Sequence, residues 1–157
     1  MREKDITIRI IEDTLDTLEA SDRLLAEKAI EMTEKAYAPY SHFSVGAAIR
    51  LSSGAIVTGA NQENAAFPSG TCAERSACFY AGANYPGDTF ETIAVAAREV
   101  DGRLTAEPIS PCGGCRQALL EYEKIAGRPV KVIFVGRDKI YTLPSVKSLL
   151  PFAFTSF

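Results

Sequence analysis

The chain has 157 residues, four cysteines, one histidine and a formal net charge of −3. That length suits one domain with a real core, and 46% hydrophobic with 24% charged residues is the composition of a soluble globular protein. The acidic balance offers no basic surface for nucleic acid or an anionic membrane. Neither a membrane-spanning apolar run nor the apolar core of a signal peptide is present in the sequence. We therefore expect a cytoplasmic protein, in which cysteines serve as ligands or catalysts more often than in disulfides.

The predicted elements follow from hydrophobic period and from turn residues. Alternating isoleucines favour a short strand over residues 5–10, and residues 12–20 indicate a turn or a short helix. Ser21 is the predicted N-cap of a helix over 22–37, which Pro39 ends. The later predicted elements, in chain order, are a hairpin of strands 42–51 and 55–62, helix 72–83, strand 90–99, helix 113–126, strands 128–136 and 139–143, and a short helix begun by Pro144.

From Ser21 onward this order is α-β-β-α-β-α-β-β-α, without an internal repeat or linker. It predicts one three-layer α/β/α domain with a mixed central sheet, spanning residues 1–157 with residues 1–20 as an N-terminal extension. The apolar, β-branched segment 128–136 is typical of a strand buried on both faces. Residues 139–143 are predicted to form an edge strand.

Two cysteine motifs stand where predicted helices begin, "TCAERSA" at 71–77 and "PCGGCRQ" at 111–117. A helix N-terminus offers free N–H groups and the positive end of the dipole, which favour thiolate. Cys72, Cys112 and Cys115 could together bind Zn²⁺ and leave its fourth position to water, as in catalytic zinc sites. Taken alone, the second motif would equally suit a redox pair or half of a structural zinc knuckle.

The other candidate ligands are less suitable. Cys78 lies six residues after Cys72, about 240° around a helix, so it should point into the core as a structural cysteine. His42 follows a turn, where histidine is more often a surface or capping residue than a ligand. Glu74, two residues from one cysteine, would by itself only complement the helix dipole. Combined with Pro-Cys-x-x-Cys, however, Cys-x-Glu matches the zinc deaminase signature with Cys as the first ligand.

Four motifs in order, "PYSHFSVGAA", "NQENAAFPSGTCAERSA", "PCGGCRQ" and "SLLP", resemble those of the small homotetrameric cytidine deaminases. The resemblance covers most of the chain and leaves about the first twenty residues outside it. It implies a cytidine deaminase-like fold, one Zn²⁺ per chain on Cys72, Cys112 and Cys115, and Glu74 as the proton shuttle. Arg75 would hydrogen-bond the ligand sulfurs and offset the charge of three thiolates on one dication.

The resemblance also implies the remaining site residues. Asn61 and Glu63 would bind the ribose 3′-hydroxyl, while Phe43 and Ala73 would contact the base. Phe67 stands where many members have tyrosine, so a hydroxyl contact of those relatives is absent here. The positions that would complete a neighbouring subunit's pocket are Ala65, Phe67 and Phe154; both aromatic residues suit an ordinary core or interface equally well.

The leading hypothesis is a zinc-dependent hydrolase that converts cytidine and 2′-deoxycytidine to their uridine products in pyrimidine salvage, with release of ammonia. A related deaminase of another small substrate, such as blasticidin S, would share the three-cysteine site. A nucleic-acid-editing deaminase fits poorly, because those enzymes usually have His as first ligand and this chain has no basic path. A zinc-stabilised protein without turnover is the alternative outside the enzymes.

Overall fold

The computed structural model of the chain describes residues 1–156. Six strands form its sheet: β1 (Ile11–Asp13), β2 (Ser44–Leu51), β3 (Ile56–Ala60), β4 (Phe90–Arg98), β5 (Lys131–Val135) and β6 (Ile140–Leu143). The α-helices are α1 (Ala20–Met32), α2 (Ala73–Asn84) and α3 (Gly113–Ala126). Short 3₁₀ turns follow at Thr33–Lys35, Phe67–Ser69 and Val146–Leu149.

The sheet is mixed, as predicted, with the strand order β1-β6-β5-β4-β2-β3. Only the β4–β5 pair is parallel. In the chain α3 lies between these two strands and brings it back, so that β5 begins at the same end of the sheet as β4. β2 and β3 form the predicted antiparallel hairpin, closed by a turn in which Gly54 has φ of 87°. One apolar cluster joins the sheet to α1 and a second joins it to α2 and α3, which confirms the three-layer arrangement.

β5 is buried on both faces, as its run of β-branched residues predicts. Val132 and Phe134 belong to the cluster under α2 and α3, whereas Ile133 and Val135 belong to the cluster under α1. Alternate side chains of a strand point to opposite faces, so one apolar run supplies both layers.

At the sheet edge two predictions are wrong. The first strand comprises Ile11–Asp13 and pairs antiparallel with β6, so residues 5–10 do not form it. Continuing the register of Ile11 opposite Thr142 would place Arg9 opposite Pro144, which has no N–H to donate to a ladder. Because β1 covers it, β6 is an inner strand and not the predicted edge.

The helix ends also differ from the predictions. α1 begins at Ala20 with Glu19 as its N-cap, so Ser21 lies inside the first turn. It ends at Met32, where the hydroxyl of Thr33 donates to the Ile30 carbonyl at 2.6 Å and the chain tightens into a 3₁₀ turn. The last predicted helix is a 3₁₀ turn over Val146–Leu149, capped by Ser145 rather than begun by Pro144.

A buried charge fixes α1 to the sheet. Asp22 is 5% exposed, and its carboxylate accepts from Arg50 of β2 at 3.0 Å and from Lys131 of β5 at 2.6 Å. Arg50 also donates to Thr92 of β4 at 2.8 Å. One network of polar contacts thus joins α1 to β2, β4 and β5, and loss of Arg50 or Lys131 would leave the buried Asp22 carboxylate with one cation instead of two.

The α2 side of the sheet depends on close backbone approach. A Cβ at Gly59 of β3 would lie 2.5 Å from the Ala77 nitrogen and 2.6 Å from the Ala73 carbonyl oxygen, both in α2. On the other face, a Cβ at Gly46 would meet the backbone of α1 in the same way. The two glycines therefore let a helix lie directly on each face, and Gly59 does so under the first turn of α2.

α2 and α3 pack against each other through Tyr122. Its hydroxyl lies over Gly82, where a Cβ would clash with it. Its ring stacks on Phe90 with the centroids 4.5 Å apart. This contact sets the spacing between the two helices that carry the cysteine motifs.

The close approach at Gly59 generates a testable prediction. Gly59→Ala should lower the free energy of unfolding by about 3 kcal/mol, the upper part of the range for overpacking, because the obstacle is backbone that cannot rotate away. Chemical denaturation with a chelator present measures this without a metal contribution. Gly114→Ala is the control, because a Cβ there meets nothing within 4 Å and alanine favours a helix. An unchanged Gly59→Ala protein would contradict the packing argument.

Candidate metal and active site

Three cysteine sulfurs converge where α2 and α3 begin. Cys72 is the N-cap of α2, Cys112 is the N-cap of α3, and Cys115 lies in the first turn of α3. Their Sγ atoms all lie within 4.8 Å of one another, and those of Cys72 and Cys112 are 4.0 Å apart. In the described part of the chain this is the only group of three or more side chains that could hold a metal.

The chemistry of this donor set fits zinc. Two sulfurs bound at about 2.3 Å in tetrahedral geometry lie about 3.8 Å apart, close to the observed separation of Cys72 and Cys112. Three thiolates fill three corners of a tetrahedron and leave the fourth open to a small ligand. The sequence prediction that these three cysteines form one cluster is thereby met in the geometry.

Positive charge from two sources favours thiolate in the cluster. The N-termini of α2 and α3 direct their dipoles at it, and Nη2 of Arg75 lies 3.9 Å from Cys72 Sγ. Hydrogen bonds from Cys115 and then from Arg75 lower the pKa of Cys72 to about 5 in the metal-free protein. The pKa of Cys115 is raised, because it is the donor to that thiolate. The Arg75 Nε is buried and has no hydrogen-bond partner.

Glu74 is buried beside the cluster. Only 4% of it is exposed, because the first turn of α2 lies against β3. Burial, and then the charge of Cys72, raise the pKa of Glu74. A carboxyl group with a raised pKa changes protonation state more readily near neutral pH, as a general acid–base requires.

A cavity of about 520 Å³ opens beside Cys72 and Arg75. Its other lining residues come from the loop after β3 and from the segment before β2: Tyr40, Ser41, Asn61, Gln62, Glu63, Asn64, Phe67, Gly70 and Thr71. The volume lies within the range typical of small-molecule sites. Two predicted substrate residues, Asn61 and Glu63, therefore line the same cavity as one predicted metal ligand.

Asn61 and Glu63 are both held by the segment that precedes β2. The Asn61 carboxamide donates to the Phe43 carbonyl at 2.9 Å and accepts from the Val45 nitrogen at 2.8 Å. The Glu63 carboxylate accepts from the Ser41 hydroxyl and from the Tyr40 nitrogen, and these bonds lower its pKa. Each side chain keeps further hydrogen-bonding capacity, so both are oriented without being saturated.

The structure places the remaining predicted residues less uniformly. Ala73 is buried as the first residue of α2, and Phe43 is half-buried but does not line the cavity. Phe67 is 76% exposed at the cavity rim, with its ring edge-on to Tyr40. Ala65 is exposed in the adjoining loop. The roles of these residues stay predictions.

Phe154 lies away from the cysteine cluster of its own chain. Its carbonyl accepts from Gln117 of α3 at 2.8 Å, and the residue is exposed on the outer side of that helix. Its predicted contact with a neighbouring subunit stays a prediction.

The excluded candidates are placed as expected. Cys78 is fully buried in the apolar cluster under α2, and burial raises the pKa of its thiol to about 12, so it is inert. His42 is exposed, has φ of 56°, and lies outside the cysteine cluster. Sequence analysis missed roles for Ser41, which holds Glu63, and for Arg116, which binds the loop before Cys112. Both stood inside quoted motifs, but only their tertiary hydrogen bonds indicate what they do.

Known proteins share this architecture and these motifs. A family model described as the cytidine and deoxycytidylate deaminase zinc-binding region matches residues 19–132. A cytidine deaminase of Halalkalibacterium halodurans is 38% identical over 134 residues, which cover 85% of this chain and 94% of the relative. The crystal structure of a Burkholderia pseudomallei cytidine deaminase superposes with a TM-score of 0.70 at 41% identity, covering 83% of this chain and 97% of that one.

A Mycobacterium tuberculosis cytidine deaminase structure is also similar, with a TM-score of 0.65 at 30% identity over 88% of this chain and all of that one. The chain therefore belongs to the cytidine and deoxycytidylate deaminase family and is an enzyme of the cytidine deaminase type. No helix within residues 1–156 has the length and apolarity to cross a membrane.

The cluster geometry predicts which cysteines hold a metal. Replacing Cys72, Cys112 or Cys115 by serine should abolish tight zinc binding, since each supplies one of three thiolates. Zinc content after dialysis against a weak chelator measures this. Cys78→Ala is the matched control and should retain zinc, because its thiol faces the core. Full zinc retention in any of the three serine variants would contradict the assignment.

Proposed function

We propose that the chain is a zinc-dependent hydrolase that deaminates cytidine and 2′-deoxycytidine to uridine and 2′-deoxyuridine and releases ammonia. The observation that carries this proposal is a buried carboxyl group, Glu74, two residues after Cys72 of the three-cysteine cluster, with a cavity of nucleoside size opening beside Cys72. A purely structural zinc site would not need that carboxyl group.

One zinc ion per chain would be held by Cys72, Cys112 and Cys115. When bound, zinc acts as a Lewis acid and lowers the pKa of water from about 15.7 towards 7. The two helix N-termini and the Arg75 guanidinium balance the charge of the three thiolates, which would otherwise weaken that acidity. Arg75 therefore acts through the sulfurs and does not need to touch the substrate.

Glu74 would move the protons of the reaction. It accepts a proton from the attacking water and delivers it to N3 of the base, while the water oxygen bonds to C4. It then takes the proton of the new C4 hydroxyl and delivers it to the amino group as the C4–N bond breaks, so that ammonia leaves and the uracil carbonyl forms. Its raised pKa suits a group that both accepts and returns a proton at each turnover.

Asn61 and Glu63 would select nucleosides by the ribose 3′-hydroxyl. Both residues lie in the loop after β3 and are held in place by residues just before and at the start of β2, so little side-chain freedom is lost when a sugar binds. Recognition through the 3′-hydroxyl leaves the 2′ position free, which supports acceptance of both cytidine and 2′-deoxycytidine.

The resemblance to the family supports the remaining parts of the proposal. Phe43 and Ala73 would contact the base. The chain would act in pyrimidine salvage in the cytoplasm. It would assemble as a homotetramer, with Ala65, Phe67 and Phe154 completing a neighbouring copy's pocket. The wide exposure of Phe67 at the cavity rim supports a contact there with a second copy.

Glu74→Gln tests the mechanism. The variant should lose at least about 10³-fold in kcat for cytidine, because glutamine cannot carry a proton, while zinc content and thermal stability stay near those of the unaltered protein. Ultraviolet absorbance follows the conversion of cytidine to uridine.

Glu121→Gln is the control for that measurement, since Glu121 is exposed on α3 and pairs only with Lys124. Its kcat should not change. If the Glu74→Gln protein deaminates normally, the assigned role of Glu74 is wrong. If the unaltered, zinc-replete protein leaves cytidine unchanged, the proposed substrate is wrong.

A second test concerns the sugar. The unaltered enzyme should favour cytidine over 3′-deoxycytidine by about 10- to 100-fold in kcat/KM, the effect of a hydrogen bond to a charged group. Glu63→Gln should lose most of that discrimination by slowing cytidine alone. Equal loss for both nucleosides would instead assign Glu63 only to the support of the Tyr40–Ser41 turn.

A further inference from the structure

Arg116 follows the ligand Cys115, yet its side chain turns away from the sulfurs. Its Nε donates to the Pro111 carbonyl at 2.7 Å, and its Nη2 donates to the Ser110 hydroxyl at 2.9 Å. Its Nη1 donates to the Leu149 carbonyl, in the last 3₁₀ turn, at 3.2 Å. One guanidinium thus ties the loop before α3 to the C-terminal part of the chain.

These hydrogen bonds hold the backbone on both sides of Cys112. The Pro111 carbonyl belongs to the peptide group before the Cα of Cys112, and the Cys112 carbonyl belongs to the one after it. Arg116 binds both, the first through Nε and the second through its own backbone nitrogen at 3.0 Å. With both flanking peptide groups held by one residue, φ and ψ of Cys112 are fixed and so is the direction of its Cβ.

Without this support the start of α3 would be loosely held. Cys112 is exposed and is followed by Gly113 and Gly114, around which a Cβ would meet nothing within 4 Å. Two glycines at the start of a helix increase the backbone conformational entropy that is lost when this part of the chain is ordered. By contrast, the other two ligands lie on better-packed backbone: Cys115 is fully buried, and Cys72 precedes two buried residues of α2.

The N-terminal extension, residues 1–20, lies beside the same hydrogen bonds. Ile8 and Ile10 line a small cavity together with Arg116 and Leu149. The hydrogen bonds to Pro111 and Leu149 are therefore partly withdrawn from water, where they are stronger than at an open surface.

We infer that Arg116 is a positioning residue that holds Cys112 in place to bind the metal, an inference that rests on the proposed zinc site. It differs from Arg75, which acts on the sulfurs by charge. Arg116 acts on backbone carbonyl groups. Several donors of its planar guanidinium are needed for that, and a positive charge alone would not hold the loop.

The test is a double-mutant cycle between Arg116→Lys and Cys112→Ser, read as the zinc affinity of the full-length protein in competition with chromophoric chelators of graded strength, so that the weakened binding of Cys112→Ser is still measured. Arg116→Lys should weaken zinc binding about 10-fold or more, as expected when a residue that orients a ligand is lost. In the Cys112→Ser background the same change should add nothing, because the ligand that it supports is gone. The visible spectrum of the cobalt-loaded Arg116→Lys protein should show a weaker thiolate-to-metal band.

Two further variants complete the design. Ser110→Ala removes one of the three contacts and should weaken zinc binding in the same direction but less. Arg103→Lys is the control, since Arg103 is 73% exposed and pairs with Asp101 on the surface. Wild-type zinc affinity in Arg116→Lys, or equal weakening with and without Cys112, would overturn the inference.

The outcome is separable from that of the proposed function. Unaltered protein that holds zinc but does not deaminate cytidine would refute the proposed substrate and leave the affinity experiment valid. Unaltered protein that holds no zinc would overturn both.

Discussion

The candidate site depends on one constraint, that the N-termini of α2 and α3 meet on the same face of the sheet. Their N-cap residues are cysteines whose sulfurs lie 4.0 Å apart, so both helix dipoles stabilise the same thiolates. Gly59 permits α2 to lie on β3, and Tyr122 fixes α3 against Gly82. The three clustered cysteines are therefore positioned by contacts up to a helix length away from them.

The burial of Glu74 follows from the same constraint. The turn of α2 that presents Cys72 also presses Glu74 towards the sheet, so the proposed ligand and the proposed proton carrier share one helical turn but differ in exposure. Desolvation, and then the charge of Cys72, raise the pKa of the Glu74 carboxyl group. A spacing of two residues therefore places the two groups in different environments.

The opposite face of the sheet serves as scaffold. α1 is tied to β2 and β5 through buried Asp22 and carries no residue of the cysteine cluster or its cavity. The N-terminal extension contains β1, which lies outside the region that the family model matches. By pairing with β6, β1 makes β6 an inner strand of the sheet. Through Ile8 and Ile10 the extension also reaches the cavity beside Arg116, which connects an added segment to the helix that bears two of the clustered cysteines or their N-cap.

Local sequence determined most of this protein: helix starts at cysteines, the β2–β3 hairpin, the doubly buried β5, and the separation of Cys78 from the other cysteines. Each follows from a period or a spacing that acts within a few residues. Tertiary structure decided the rest. The place of β1 depends on a partner strand about 130 residues away and on Pro144, and the C-terminal end of α1 depends on the Thr33 hydroxyl, which bonds the Ile30 carbonyl. The roles of Ser41 and Arg116 depend on which carboxylate or carbonyl group the fold places beside them. No local sequence pattern predicts these contacts.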